Sequence, residues 1–255
     1  MSIATDLQTI ANNVPLVYNA GYEAGAAQGG GGSDSFYDTF WDAYQYNGNR
    51  NNYEYAFAGA LNTTIITGWT DDNFKPKFPI KPTRAQNMFY SSKIQKSPYL
   101  KIIDFSSCQA FTQCFYSSEI EELGVVDCGA CVAGFPMTNV FAGCKNLHSI
   151  EKFIPPRSTA AFNTTFGGCT ALVNITVEGT FLVTVSFGDS ALLNKSSLTS
   201  IGNALSNTVT GKTLTLSLAA VNKAFETSVG ANDGSTSAEW LALVATKPNW
   251  TIAYV

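Results

Sequence analysis

Apolar positions along the chain fall into three regimes. In residues 1–28, Ile3, Leu7, Ile10, Val14, Val17, Gly21 and Ala24 follow steps that alternate between four and three. That is the a/d seam of a coiled coil. Pro15 interrupts it; an internal proline removes a hydrogen bond and costs about 3 kcal/mol, so a break or kink is expected between Asn13 and Leu16. The same pattern serves a self-associating helix and one packed on its own domain. Gly29–Ser33 (GGGGS) then reads as a flexible linker. Beyond it, Ser33 or Ser35 can cap a second helix with Phe36, Phe40 and Tyr44 on one stripe and Tyr37 and Trp41 beside it. Residues 68–82 carry three prolines and read as extended loop.

The middle of the chain repeats. Leu100-x-x-Ile103, Leu123-x-x-Val126, Leu147-x-x-Ile150, Leu172-x-x-Ile175 and Leu198-x-x-Ile201 are spaced 23, 24, 25 and 26 residues apart. A third apolar position follows at Phe105, Cys128 and Val177, and fails at Lys152 and Asn203. Each unit is preceded by a phenylalanine (Phe89, Phe111, Phe141, Phe166, Phe187), with Ser92, Cys114, Cys144, Cys169 or Ser190 three residues on. Asp104 and Cys108 recur as Asp127 and Cys131. A period of 20–29 residues with this strand pattern is the mark of a leucine-rich solenoid. One short strand per turn cannot bury its apolar side chains, whereas stacked turns bury a continuous column. The expected fold class is therefore an α/β repeat solenoid with one short parallel strand per turn. Its expected core is Leu100, Ile103, Phe111, Leu123, Val126, Phe141, Leu147, Ile150, Phe166, Leu172, Ile175 and Phe187.

The end of the chain changes style. Leu198–Leu205, Ala219–Ser228 and Ala238–Thr246 look helical, Lys212–Leu218 alternates as a strand, and Trp250–Val255 is a final strand. Divergent last turns are expected where an apolar column must be covered. The resulting division is a helical anchor or oligomerisation segment (1–28), a linker (29–33), an aromatic-rich cap (34–87), the solenoid (88–205) and a C-terminal cap (206–255).

FAGCKNLHSI (141–150) and FGGCTALVNI (166–175) resemble the BspA-type leucine-rich repeat over roughly residues 88–205. YNAGYEAG, FYDTFWDAYQYNGNRNNYEYAFAG, GWTDDNFKPKF and KPNWTIAY resemble leucine-rich-repeat proteins carried in phage and prophage tail regions of gut Firmicutes. The resemblance implies a location, in or on a virion, more than a mechanism.

Charge narrows the partners. Charged residues make up 13% of the chain, with 15 basic against 19 acidic and a net −4. No basic stripe exists to replace the counterions of nucleic acid. No stretch approaches a membrane span, and the first residues lack the basic and apolar regions of a secretory leader. Surface polarity must come from Ser, Thr, Asn and Gly, which suits an extracellular or virion protein. Five Asn-x-Ser/Thr sequons (Asn62, Asn163, Asn174, Asn194, Asn249) are no more than so polar a composition produces by chance.

Candidate chemistry is sparse. His148 is the single histidine, at an outward position of its repeat, where no partner for a nucleophilic site is identifiable. Cys128-x-x-Cys131, with Cys108 and Cys114, has the composition of a four-thiol zinc site. The repeat explains the same cysteines as small apolar residues, and the expectation is no metal and no cofactor. A disulfide between stacked turns is open, since sequence does not pair six cysteines. Asp71-Asp72 and Glu121-Glu122 could hold calcium or act as carboxylate pairs, but lack the spacing of a calcium loop. Gly29–Gly32 lacks the lysine of a phosphate loop. The aromatics at 36–57 suit a sugar platform or the core of a cap, the latter preferred.

The expectation is a non-enzymatic virion protein, tail- or fibre-associated. Its N-terminus would join other virion proteins and a homo-oligomer, a trimer by analogy, through Ile3, Leu7, Ile10, Val14 and Val17. Its repeats would meet a host-surface protein or glycan, without nucleic acid or membrane insertion. A bacterial cell-surface adhesin, a structural decoration protein and a glycan-cleaving enzyme are the alternatives.

Overall fold

A computed structural model of the chain describes residues 81–92, 95, 98–131, 137–157, 162 and 164–255. The helical seam at Ile3, Leu7, Ile10, Val14 and Val17, the linker, and the aromatic segment at 36–57 lie outside the described residues, as does Asp71-Asp72.

Short strands come first. β1 (Glu122–Asp127), β2 (Ser149–Ile154) and β3 (Asn174–Val177) form a parallel sheet in the order β1-β2-β3. Aliphatic and aromatic side chains fill the inward positions. Leu123 stands beside Ile150, and Ile150 beside Ile175; Val126 stands beside Phe153, and Phe153 beside Val177. β2 carries one extra residue against β3 between Ile150 and Phe153, a bulge that turns Lys152 outward.

This register differs from the one the leucine pattern predicts. Leu123 pairs with Ile150, not with Leu147. The residues in line with Leu147 and Leu172 are Ile120 before them and Leu193 after, as the hydrogen bonds His148 N–H to Glu121 O, Val173 N–H to His148 O and Asn194 N–H to Val173 O require. Leu198 and Ile201 belong to a helix instead. The apolar spacing of three residues recurs twice within a strand, so the pattern matches itself after a shift of three.

The corner of each layer is a phenylalanine. Phe89, Phe115, Phe141, Phe166 and Phe187 stack face to face, with centroids 5.2, 5.3, 5.2 and 4.4 Å apart and ring planes within 4°, 11°, 19° and 23°. Phe115 takes the place predicted for Phe111, and Ser118 the place predicted for Cys114. Phe111 is buried too, but packs on Phe105 at 5.1 Å. The small residue after each corner reaches back to the preceding layer. Cys144 Sγ donates to Phe115 O (2.8 Å), Cys169 Sγ to Phe141 O (3.2 Å) and Ser190 Oγ to Cys169 O (3.1 Å).

Tight corners require left-handed backbone. Asn87, Gln113, Asn139 and Thr164 have φ of 54–61°, and Ser91, Ser117, Gly143 and Gly168 follow four residues later with φ of 53–78°. Gly143 is needed twice over. Its φ of 78° penalises a side chain, and a Cβ would meet Ser117 Oγ at 2.8 Å.

Both edges of this sheet are covered. On one side the 3₁₀ turn Pro98–Ile102 lies so close to β1 that a Cβ on Gly124 would sit 2.0 Å from Lys101 O. On the other, α1 (Lys195–Asn203), capped by Asn194, runs along β3. Ser197 Oγ accepts from Ile175 N–H (2.9 Å) and Ser200 Oγ from Val177 N–H (2.8 Å). Serines three apart share one helix face, and here they substitute for the next strand.

A second parallel sheet follows, β4 (Val185–Phe187), β5 (Lys212–Leu216) and β6 (Trp250–Tyr254), in that order. α1 bridges β4 to β5; α2 (Leu218–Phe225) and α3 (Ala238–Ala245) bridge β5 to β6. Such crossovers are what parallel neighbours demand. Trp240 is fully buried against Phe225 at 5.0 Å and donates from Nε1 to Tyr254 Oη (2.6 Å). Trp250 Nε1 donates to Ser206 O (2.7 Å). One apolar cluster runs through both sheets and contains each of Leu100, Ile103, Phe111, Leu123, Val126, Phe141, Leu147, Ile150, Phe166, Leu172, Ile175 and Phe187.

Candidate functional site

His148 is exposed. Its main-chain N–H donates to Glu121 O at 2.8 Å, and among the described residues no side chain is seen bonded to its imidazole. Glu121 and Glu122 are consecutive at the start of β1, so they point to opposite faces; Glu122 pairs with Lys101 at 2.7 Å.

The six cysteines are buried free thiols. Burial pushes Cys108 up to about 12 and Cys144 up to about 11, and drives Cys114, Cys128 and Cys169 well above the ordinary thiol range. Those five thiols are protonated at neutral pH, and each reacts slowly as a nucleophile or metal ligand. Among the described residues no group of three or more His, Cys, Asp or Glu is placed to hold a metal ion.

Polar chemistry collects on the outward face of the first sheet. Lys101 bridges Glu122 (2.7 Å) and Glu151 (3.3 Å), and Lys152 meets Glu178 (2.5 Å). The hydrogen bond to Glu122, with a further one to Glu151, holds the Lys101 ammonium above its ordinary range. Asn194 Nδ2 donates to Asn174 Oδ1 (2.5 Å), so two sequon asparagines are spatial neighbours. Ile102 and Val125 are exposed apolar residues on the same layers. Each exposed pair contributes about 0–1 kcal/mol; the ladder gives the face a fixed pattern rather than stability.

A cleft of about 320 Å³ opens where the strands end. Ile154, Pro155 and Leu182 supply apolar lining, while Asp127, Arg157 and Glu178 supply charge. Asp127 closes β1. Its Oδ1 accepts Gly129 N–H at 2.7 Å, as Asp104 one layer earlier accepts Ser106 N–H at 3.1 Å and Ser106 Oγ–H at 2.6 Å. The Asp104/Asp127 recurrence is thus a repeated turn that satisfies backbone. At Gly129 a Cβ would lie 2.9 Å from Asp127 Oδ1 and 3.5 Å from Arg157 Nε, so a bare backbone lets carboxylate and guanidinium converge. No ion pair of Arg157 is seen among the described residues. The arrangement offers a donor fork, carboxylate acceptors and an apolar floor, which is the chemistry of recognition.

Sequence reasoning singled out Asp127 only as a repeat position and missed Arg157 and Glu178. The signal was positional: each lies within three residues of the end of an inward-patterned strand. No family model matches the chain, and neither a curated protein nor a solved structure matches it.

Proposed function

We propose that the chain is a non-enzymatic virion protein, tail- or fibre-associated, that presents a leucine-rich-repeat-type solenoid to a host-surface protein or glycan. The observation that carries this reading is the combination at the strand ends. A cleft with Arg157, Asp127 and Glu178 over an apolar floor adjoins a polar ladder on the same strands. Parallel strands offset by 24–27 residues and the stacked phenylalanines support the repeat architecture. The virion location rests on the resemblance of the sequence to tail-region proteins. Residues 1–28 would join the chain to the particle and to copies of itself, and several copies would turn weak contacts into avidity.

The test is binding of the purified, fluorescently labelled full chain to intact candidate host cells, compared with Arg157→Ala and Glu178→Ala. Binding that falls at least tenfold in Arg157→Ala, with an unchanged unfolding midpoint, supports attachment through the cleft. No binding to any host, with the protein still present in particles, favours a structural decoration role. Release of soluble sugar from host polysaccharide would overturn the non-enzymatic reading.

A further inference from the structure

The dithiol at the end of β1 is more than a pair of small apolar residues. Cys131 N–H donates to Cys128 O at 3.0 Å. That bond closes a four-residue turn, whose end Cα atoms lie within about 7 Å, a range that overlaps the ~4.4–6.8 Å a disulfide spans. The two thiols lie near enough that Cys131 helps to raise the Cys128 thiol above its ordinary range, after burial. Cys114, Cys144 and Cys169 belong to separate layers, and Cys144 and Cys169 donate to corner carbonyls at 2.8 and 3.2 Å. Cys131 Sγ, by contrast, makes a long contact to Cys108 O at 3.6 Å. At 5% exposure Cys131 is also the most accessible of the six, the other five being at 0%.

We propose that Cys128 and Cys131 are a redox-modifiable pair that closes to an intrachain disulfide when the chain meets a small-molecule disulfide oxidant such as oxidised glutathione. Cys131 as thiolate attacks one glutathione sulfur; its proton and the first glutathione thiolate leave as one reduced glutathione. Cys128 then attacks Cys131 Sγ in the mixed disulfide, expelling the second glutathione, which takes the Cys128 proton. One S–S bond forms in the protein, one is lost from the oxidant, and two electrons pass to glutathione. Burial of Cys128 keeps its thiol protonated, so closure is slow at neutral pH and quickens as pH rises. The same turn carries the Gly129 N–H that holds Asp127 at the cleft, so the bridge would fix one wall of that cleft.

The experiment treats the full chain with excess oxidised glutathione at pH 8, alkylates it under denaturing conditions and maps the peptides by mass spectrometry. The expected result is a peptide linking Cys128 to Cys131, lighter by two hydrogens, with the other four thiols alkylated and the bridge reversed by dithiothreitol. Cys114→Ser should leave the bridge intact and Cys131→Ser should abolish it. Six alkylated thiols after prolonged treatment, a bridge from Cys131 to Cys108, or a mixed disulfide at Cys131 that never closes would each overturn the proposal.

Discussion

The two sheets solve one problem in different ways. In both, strands run parallel, and parallel neighbours need a crossover. In the first sheet the crossover is a tight corner, in which left-handed residues bracket a phenylalanine that stacks on its counterpart 25 or 26 residues away. In the second sheet the crossovers are helices, and the core is filled by Trp240 and Trp250, with each indole N–H satisfied. Backbone geometry dominates the first region, and side-chain packing the second. Substitutions should therefore hurt the first region where they add atoms to backbone contacts, and the second where they remove atoms from the core.

The largest expected effect breaks the phenylalanine column. Phe141 touches rings above and below, so Phe141→Ala should cost about 3–5 kcal/mol, read as a drop in the urea midpoint. A loss below about 1 kcal/mol would show that the corners carry little of the fold.

A pair of glycine substitutions sharpens the comparison. At Gly124 a Cβ meets backbone, Lys101 O at 2.0 Å, whereas at Gly202 in α1 it meets the end of a side chain, Leu243 Cδ2 at 3.0 Å. Gly124→Ala should destabilise by about 2–3 kcal/mol because the 3₁₀ turn must move. Gly202→Ala should change stability by less than about 1 kcal/mol, since better helix propensity offsets a small shift of Leu243. Equal effects in denaturant melts would erase the distinction between the regions.

Next come the serines that join them. Ser197→Ala and Ser200→Ala each leave an edge N–H of β3 without its acceptor, at a cost of about 1–2 kcal/mol. Amide exchange should accelerate at Ile175 in the first variant and at Val177 in the second, while β5 remains protected. Unchanged exchange would mean that α1 covers the edge by packing alone.

The smallest effect is at Asp104, where the Ser106 hydroxyl and N–H, then Lys81, hold the carboxyl below its ordinary value of 3.8. A carboxyl lowered in the folded state contributes stability that is present above the unfolded value and lost as pH falls through the folded one. Asp104→Asn should therefore melt slightly below the parent at pH 6, and the gap should close as pH drops below about 4. A gap independent of pH would mean that the turn, not the charge, matters.

The buried positions were legible because burying one face of a short strand forces an apolar residue every few positions. That pressure does not distinguish Phe111 from Phe115. Both are buried, both precede a small residue by three, and Cys114 looks more like Cys144 than Ser118 does. The choice depends on the length of chain needed to close a layer of 26 residues between Phe89 and Phe115, a three-dimensional quantity. Hydroxyl and thiol are interchangeable at the corner because each needs only to be small and to donate one hydrogen bond. Arg157 and Glu178 were illegible for another reason. An isolated charged residue after a strand has no pattern of its own and acquires meaning only when the neighbouring layer brings Asp127 beside it.

By itself the sequence determined the approximate spacing of the apolar positions and the residues that must be buried, since both follow from composition and spacing. Tertiary structure alone decided the register of the strands, the ring that enters each corner, the serines that close the β3 edge and the residues that meet at the cleft. The physical reason is that hydrophobic burial is nearly indifferent to a shift between two apolar positions, whereas ring stacking, backbone hydrogen bonds and atoms 2–3 Å apart are not.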